Sequence, residues 1–198
     1  MAEIPAEAEA VLEFWFGDCA VTGIGRKQLW FQGGVAFDEE CGRFRSLQAA
    51  ALRGELDGWA ATPRGLLALV ILLDQLSRNL FRGTAAAFAG DPQALALARR
   101  AVALAWDREL HPLERSFLYL PFEHSEDAGD QEESVRQYTS LRDEHGGRFD
   151  SEESLQFAVD HREIIARFGR FPHRNRVLGR ENTDAEEAYL KDASHFGQ

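Results

Sequence analysis

The stretch from Arg167 to Asn175 carries residue types that bind anions and transfer protons. It reads Arg-Phe-Gly-Arg-Phe-Pro-His-Arg-Asn, so three arginines, a histidine and an asparagine surround a Gly/Pro helix stop. Arginine presents a planar fork of donors that matches carboxylates and phosphates, and histidine titrates near neutral pH. Because the whole chain has a net charge of -11, this cluster requires either an internal acidic partner or an anionic ligand.

An acidic segment earlier in the chain offers such a partner. Residues 123–153 contain eleven carboxylates against three arginines, whereas residues 162–180 contain six arginines against one glutamate. Opposite charges on neighbouring helices favour bidentate ion pairs. The residues that we expect to form such pairs are Glu123, Glu126, Asp127, Arg167, Arg170 and Arg174. The alternative is an anion-binding pocket, in which some of these arginines remain available to a ligand.

The candidate ligand-binding residues come from the end of an apolar helix, the turn at Glu123 and the arginine block. They are Asp74, Gln75, Arg78, Asn79, Arg82, Glu123, His124, Arg167, Arg170, His173, Arg174 and Asn175. The arginines would bind a carboxylate or phosphate, and the amide side chains would orient it. In an enzyme, His124 or His173 would act as general acid or base, with Glu123 or Asp74 orienting the ring.

Other chemistries lack the residue patterns they need. The chain contains no GxSxG, Walker or GxGxxG sequence and no HExxH. Its histidines at 124, 161 and 173 fall on separate predicted elements, so we expect neither a metal nor another cofactor. Cys19 and Cys41 form no CxxC pair, and Cys41 lies on an apparent inner helix face, which indicates a core residue.

Helical periodicity dominates the elements that must position these residues. The sequence predicts helices over 5–17 and 36–53, helices opened by Pro63, Pro92 and Pro112, a helix capped by Ser125 and ended at Gly146, one from Ser151 to Gly169, and one behind a Thr183–Glu186 capping box. Residues 66–76 leave almost no polar face, which is typical of a central helix. With no alternating strand pattern, the chain predicts one all-α domain over 1–198, with about eight helices in stacked antiparallel hairpins.

Composition limits the partners. Hydrophobic residues make up 44% and charged residues 28%, an ordinary globular balance. The N-terminus has no basic signal-peptide region, and the apolar run 66–73 is too short to span a membrane. The acidic pI of about 5.0 disfavours nucleic acid. We therefore expect a cytoplasmic protein of undetermined oligomeric state that binds a small anion or a protein.

Five blocks along the chain resemble a bacterial family, domain of unknown function 924. They are residues 14–17 (FWFG), 72–75 (LLDQ), 78–84 (RNLFRGT), 117–127 (FLYLPFEHSED) and 168–179 (FGRFPHRNRVLG). The resemblance implies an all-helical, tetratricopeptide-like fold and brings no established activity. One position departs from the family pattern: Leu76-Ser77 replaces the usual Phe-Pro, which leaves the end of the central helix open.

Two functions follow as hypotheses. The first is a binding module that holds a small anionic ligand or an acidic peptide at an arginine-lined polar centre, as tetratricopeptide-like folds commonly do. The alternative is a small-molecule enzyme, hydrolase-like, that uses a histidine–carboxylate acid–base pair. A third possibility is structural: every charge is satisfied internally, and the protein acts through its outer surface.

Overall fold

The computed structural model of the chain describes residues 3–17, 30, 34–146, 148 and 150–191. Within these ranges the regular elements are all helices, which confirms the all-α class; the tetratricopeptide-like arrangement stays a prediction. The α-helices are α1 (Ala6–Phe16), α2 (Gly34–Cys41), α3 (Arg45–Leu52), α4 (Pro63–Val70), α5 (Ser77–Leu80), α6 (Asp91–Ala103), α7 (Pro112–Glu123), α8 (Ala128–His145), α9 (Ser151–Phe168) and α10 (Asp184–Leu190). Short 3-10 turns are Gly42–Phe44, Asp57–Ala61, Ala85–Phe88, Trp106–Glu109 and Pro172–Arg174.

The core is built around one continuous segment, α4 followed by a π-helical stretch, Ile71–Leu76, and α5. Every residue from Gly65 to Asn79 is buried, as the apolar pattern predicts. α1, α6 and α7 pack against α4, and α3, α6 and α7 pack against the π-helical stretch. The polar residues at the end of this segment are therefore carried into the interior. Cys41 is also buried, as predicted, whereas Cys19 lies outside the described residues.

Several predicted boundaries differ from the structure. The single helix expected over 36–53 is interrupted by the 3-10 turn Gly42–Phe44. The cap of α8 is Asp127 and not Ser125, because the Asp127 carboxylate accepts the backbone N–H groups of Gly129 and Asp130 at 2.8 and 3.1 Å. The Ser125 hydroxyl donates instead to the Asp130 carboxylate at 2.7 Å.

Two predicted helix ends are confirmed. Thr183 and Glu186 form a reciprocal capping box at the start of α10. Gly169 ends α9 with a φ of 68°, a left-handed conformation that glycine adopts without a Cβ clash. The arginine block therefore leaves α9 in a sharp turn, and Pro172 prevents the helix from resuming.

A close backbone approach fixes the loop before α6 against the central segment. A Cβ atom placed on Gly90 would lie 2.4 Å from the carbonyl oxygen of Leu73, so only glycine fits without a shift of the backbone. The contact is with the π-helical stretch, a helix type that often occurs at functional sites. It places Asp91, the first residue of α6, beside Arg78.

No helix in the described part of the chain combines the length and the apolarity that a bilayer crossing requires.

Candidate functional site

A histidine and an aspartate meet inside the protein, where the π-helical stretch contacts the end of α7. Nδ1 of His124 lies 2.7 Å from Oδ1 of Asp74, and Gln75 donates to the other oxygen of the same carboxylate. Asp74 is fully buried, whereas the His124 side chain keeps 14% of its surface exposed. His124 directly follows the last residue of α7. Its ring therefore projects from a helix terminus into the buried group of polar side chains around Asp74, which is called the polar centre below.

Two arginines complete the charges of this centre. Nη1 of Arg78 lies 3.0 Å from Oδ1 of Asp74, and the Arg78 guanidinium binds Asp91 in a bidentate manner at 2.9 and 3.1 Å. Arg174 donates from Nη1 to the carbonyl oxygen of His124 at 3.0 Å and lies 3.6 Å from Asp91. Arg78 thus joins the central segment to α6, and Arg174 joins the arginine block to the end of α7.

A second histidine–carboxylate contact lies beside the first. Nδ1 of His161, on α9, donates to the carbonyl oxygen of Phe157 at 2.8 Å and lies 3.4 Å from Oε1 of Glu123. The rings of His124 and His161 are 6.4 Å apart, centroid to centroid. The two contacts together involve two histidines and two carboxyl groups, which three different elements contribute.

The environment sets the protonation of each group. Burial alone would raise the pKa of Asp74, but Arg78, His124 and Gln75 lower it overall, so this carboxylate is ionised. Burial and the charge of Arg78 lower the pKa of His124 in spite of the opposing effect of Asp74. At neutral pH the imidazole is therefore uncharged. Because an ionised carboxylate only accepts, Nδ1 carries the proton and Nε2 keeps its lone pair.

Glu123 and His161 are neutral for a related reason. Burial, with added repulsion from Asp74 and Asp160, raises the pKa of Glu123 to about 8. Burial and the neighbouring His124 lower the pKa of His161 to about 3. A neutral carboxylic acid can donate a hydrogen bond, and a neutral imidazole can accept one. The formal charges of the centre then reduce to those of two aspartates and two arginines.

The end of α7 is held in place by donors to its last carbonyl groups. Gln131 donates from Nε2 to the carbonyl oxygens of Glu123 and Ser125 at 2.7 and 2.6 Å. Arg174 satisfies the carbonyl of His124 in the same region. The last carbonyls of a helix have no partner within it, and a cation there is favoured by the helix dipole. These contacts fix the direction in which Glu123 and His124 project.

The remaining candidates from the sequence fall into two groups that lie apart from the Asp74–His124 pair. Asn79 and Arg82 both bind Asp38 on α2, Asn79 at 2.7 Å and Arg82 at 2.8 and 2.9 Å. The described hydrogen bonds of these two residues therefore connect the end of the central segment to α2, and neither is made to His124. In the arginine block, residues 167–175, Arg170 binds both carboxylate oxygens of Glu186 at 2.6 and 2.8 Å.

The other candidates in the arginine block make mostly apolar or local contacts. The guanidinium of Arg167 lies over the ring of Phe168 at 4.6 Å, and the ring of His173 lies 5.5 Å from that of Phe171. Asn175 donates to Asn182 at 2.8 Å. None of the expected ion pairs of Glu123, Glu126 or Asp127 with Arg167, Arg170 or Arg174 is found in the described part of the chain; Glu126 instead binds Arg180 at 2.7 and 3.0 Å. Arg170, by contrast, pairs with Glu186, because the turn after Gly169 carries it toward α10.

A family of bacterial proteins of unknown function, DUF924, matches residues 11–194. The chain belongs to the DUF924 family. The match spans α1 through α10, so it includes both sides of the polar centre. Among curated proteins none matches this DUF924 chain.

A solved structure supports the fold of this DUF924 chain. The protein of unknown function ATU0120 from Agrobacterium tumefaciens is 40% identical to it, with a TM-score of 0.79. The similarity covers 95% of this chain and 98% of that chain.

Two residues of the DUF924 polar centre were not among the candidate site residues. Asp91 had the pattern of a helix cap, but its carboxylate binds Arg78 across the core. His161 was weighed as a metal ligand or as a histidine bound to a helix end or carboxylate, and it contacts Glu123 and the ring of Phe171, 5.5 Å away. Groups of three or more metal-ligating side chains are not found in the described part of the chain.

A shallow groove of about 280 Å³ lies between α6 and the start of α8, and its walls include Arg99, Val102 and Asp130. Its polar side is occupied by the ion pair between Arg99 and Asp130. The groove touches the centre only through Phe122, which precedes Glu123 in the chain. The Asp74–His124 pair and this groove are therefore separate features of the structure.

Proposed function

We propose that this DUF924 protein is a small-molecule enzyme that works by proton transfer, with His124 as general base and Asp74 as the residue that orients it. The supporting observation is the buried 2.7 Å contact between Asp74 Oδ1 and His124 Nδ1. A carboxylate on Nδ1 fixes the tautomer that leaves Nε2 able to accept a proton. It would also stabilise the imidazolium that forms when that proton is taken.

Glu123 is the matching acid in this proposal. Its pKa of about 8, caused mainly by burial, keeps the carboxyl group protonated at neutral pH. Two titratable groups with environments that hold one as a base and the other as an acid are a common basis of catalysis. In a hydrolytic step, His124 takes a proton from water as the water oxygen bonds to the electrophilic atom of the substrate, and Glu123 gives its proton to the leaving atom as the bond to that atom breaks. Transfer of a proton from His124 to Glu123 then restores both residues.

The partial exposure of the His124 ring favours a catalytic role over a purely structural one. A buried ion network needs no contact with solvent, and Asp74 has none. The His124 ring retains partial exposure, and its described side-chain hydrogen bond uses Nδ1 only. A base must reach its substrate from the other nitrogen, Nε2.

The close pairing of most arginines, inside and outside the centre, argues against the arginine-lined binding module first expected from the sequence; Arg174 is the exception. Arg78, Arg82, Arg170 and Arg180 each bind a carboxylate at 2.9 Å or less. Bidentate pairing of this kind uses the donors that an anion would need. Acid–base chemistry by His124 is therefore the function that the contacts favour.

Chemical labelling tests the base without knowledge of the substrate. Diethyl pyrocarbonate acylates an unprotonated, accessible imidazole nitrogen, and peptide mass spectrometry locates the modified histidine. We expect modification of His124 in the folded protein at neutral pH, and slower modification in Asp74→Asn. A folded protein in which His124 stays unmodified while exposed histidines react would contradict the proposal.

A substrate panel then tests the chemistry. Chromogenic carboxylate esters, phosphate esters and amides would be compared with the wild-type protein, His124→Asn and the control His145→Asn, at the end of α8. Asparagine can still donate to Asp74 but cannot act as a base, so hydrolysis should fall by about 100-fold or more. Hydrolysis that persists unchanged in His124→Asn would contradict a catalytic role for this residue.

A further inference from the structure

Both arginines of the polar centre are buried, but Arg174 lies closer to aromatic rings than Arg78, which is 5.6 Å from the ring centre of Phe88. The guanidinium carbon of Arg174 lies 4.8 Å from the ring centre of Phe88 and 4.5 Å from that of Phe171. Only 8% of the side chain is exposed. Two aromatic rings therefore contact the guanidinium, and the stronger hydrogen bonds that it can make lie in its own plane.

Among the described residues, Arg174 has only a long ion pair. Its shortest carboxylate contact is 3.6 Å, to an Asp91 oxygen that already accepts from Arg78 at 3.1 Å. Arg170 and Arg180 lie 2.6 and 2.7 Å from their own carboxylates. Burial and the nearby charge of Arg78 lower the pKa of Arg174 to about 10. A buried guanidinium without a close anion is costly, because desolvation is not offset by pairing.

One donor of this guanidinium has no acceptor among the described residues. Nη1 donates to the carbonyl oxygen of His124, whereas Nε of Arg174 is buried without a hydrogen-bond partner. Nε of Arg180 is also buried without a hydrogen-bond partner among the described residues, but Arg180 lies 2.7 Å from the Glu126 carboxylate, whereas Arg174 lacks both a partner for Nε and a close anion. An oxygen atom from a ligand would satisfy both the missing hydrogen bond and the missing charge.

We infer that Arg174 is the anion subsite of the polar centre and binds a carboxylate or phosphate group of the substrate through Nε and the adjoining edge of its guanidinium. The inference rests on the proposed function, because it names the substrate class of the same site. The hydrogen bond from Nη1 to the carbonyl of His124 fixes the subsite next to the base. An anionic small molecule bound there would present its reacting atoms to Nε2 of His124.

The wild-type protein tests the subsite directly. In arginine-labelled protein, the Nε–H resonance of Arg174 is followed by NMR during titration with acetate and, separately, inorganic phosphate, with chloride at equal ionic strength as reference. We expect a saturable shift at millimolar anion for at least one of the two. Arg167, exposed in the same block, is the matched control and should not shift saturably. A resonance that does not respond, as an ordered water on Nε would produce, overturns the inference.

Variants give a second reading. Arg174→Lys keeps the charge but loses the planar fork, so anion affinity measured by calorimetry should fall roughly tenfold or more. Arg167→Lys should bind like the wild type. Equal affinity in Arg174→Lys overturns the inference, and if that variant does not fold, the wild-type resonance decides.

His124→Asn separates the two proposals. Arg174 binds the backbone carbonyl at position 124, so this variant should still bind the anion. Saturable binding together with hydrolysis unaffected by His124→Asn would contradict the catalytic proposal and leave the subsite standing. Hydrolysis that depends on His124, with no response of Arg174, would overturn the subsite alone.

Discussion

Asp74 binds His124 at 2.7 Å across 50 positions of sequence, and the same carboxylate oxygen lies 3.0 Å from Nη1 of Arg78. One buried oxygen atom therefore orients the histidine and neutralises an arginine. Because Asp74 lies in the buried central segment and also pairs with Arg78, substitutions at Asp74 will affect stability as well as the chemistry of His124.

Replacing Asp74 by asparagine should lower the free energy of unfolding by about 3 kcal/mol. The change removes a charge partner of Arg78, which stays buried, and leaves His124 without an anionic acceptor. Urea denaturation would measure the loss. Asp143→Asn, at an exposed ion pair with Arg142, should stay within about 0.5 kcal/mol. Equal unfolding midpoints for Asp74→Asn and the wild type would contradict the role assigned to this carboxylate.

Glu123 predicts a specific dependence of stability on pH. Its folded-state pKa, about 8, lies above the ordinary value of 4.5. Between these values the folded state binds a proton that the unfolded state has released, so stability falls as pH rises. The favourable contribution is complete below about 4.5 and is lost as pH rises through about 8. Because glutamine stays neutral, Glu123→Gln should gain on the wild type by up to about 1.4 kcal/mol per pH unit in this window.

Unfolding curves of the two proteins at several pH values would reveal this difference. Glu163→Gln, at an exposed position of α9, serves as the control and should follow the wild type at every pH. A difference between Glu123→Gln and the wild type that does not change with pH would show that Glu123 is ionised in the folded protein. Such a result would remove the proposed acid.

The fold was readable from the sequence because the helix signals are local. Pro63, Pro112 and the Thr183–Glu186 pair mark helix starts that depend on neighbouring residues only. The π-helical stretch was not predictable, since Ile71–Leu76 continues the helical pattern of α4. Its winding depends on packing against other elements, including the contact of Gly90 with Leu73.

The sequence predicted some residues of the polar centre but not how they pair. Asp74, Arg78, Glu123, His124 and Arg174 do lie close together, as a polar centre requires. Which arginine meets which carboxylate depends on the directions of chain segments far apart in sequence. Asp91 illustrates the limit: locally it resembles a cap, and only the fold brings it to Arg78.

Gly90→Ala should be strongly destabilising. The added Cβ would lie 2.4 Å from the carbonyl oxygen of Leu73, and relief of that clash requires the loop before α6 to move. We expect a loss of about 2 to 3 kcal/mol in thermal or urea unfolding. Gly42→Ala is the matched control, because nothing lies within 4 Å of a Cβ there. A Gly90→Ala protein as stable as Gly42→Ala would contradict the close approach.

Glu126 should hold the chain around Phe171 and Arg180 against the turn between α7 and α8. Its carboxylate accepts from the backbone N–H of Phe171 at 2.8 Å and from Arg180 at 2.7 and 3.0 Å. Glu126→Gln should therefore destabilise the protein by about 1 kcal/mol and speed hydrogen exchange at the Phe171 amide. Burial opposes ionisation, but these donors lower the pKa of Glu126. The difference from the wild type should thus shrink as pH falls below the ordinary glutamate value, opposite to Glu123. Unchanged exchange at Phe171 would contradict this role.

The protonation state of His124 tests the central claim most directly. Long-range ¹H–¹⁵N spectra of the wild-type protein distinguish the two ring nitrogens and follow them between about pH 5 and pH 8. We predict, at neutral pH, a protonated Nδ1 and an unprotonated Nε2, with a pKa below the ordinary value of 6.5. A His124 that is doubly protonated at neutral pH, or that carries its single proton on Nε2, would contradict the account.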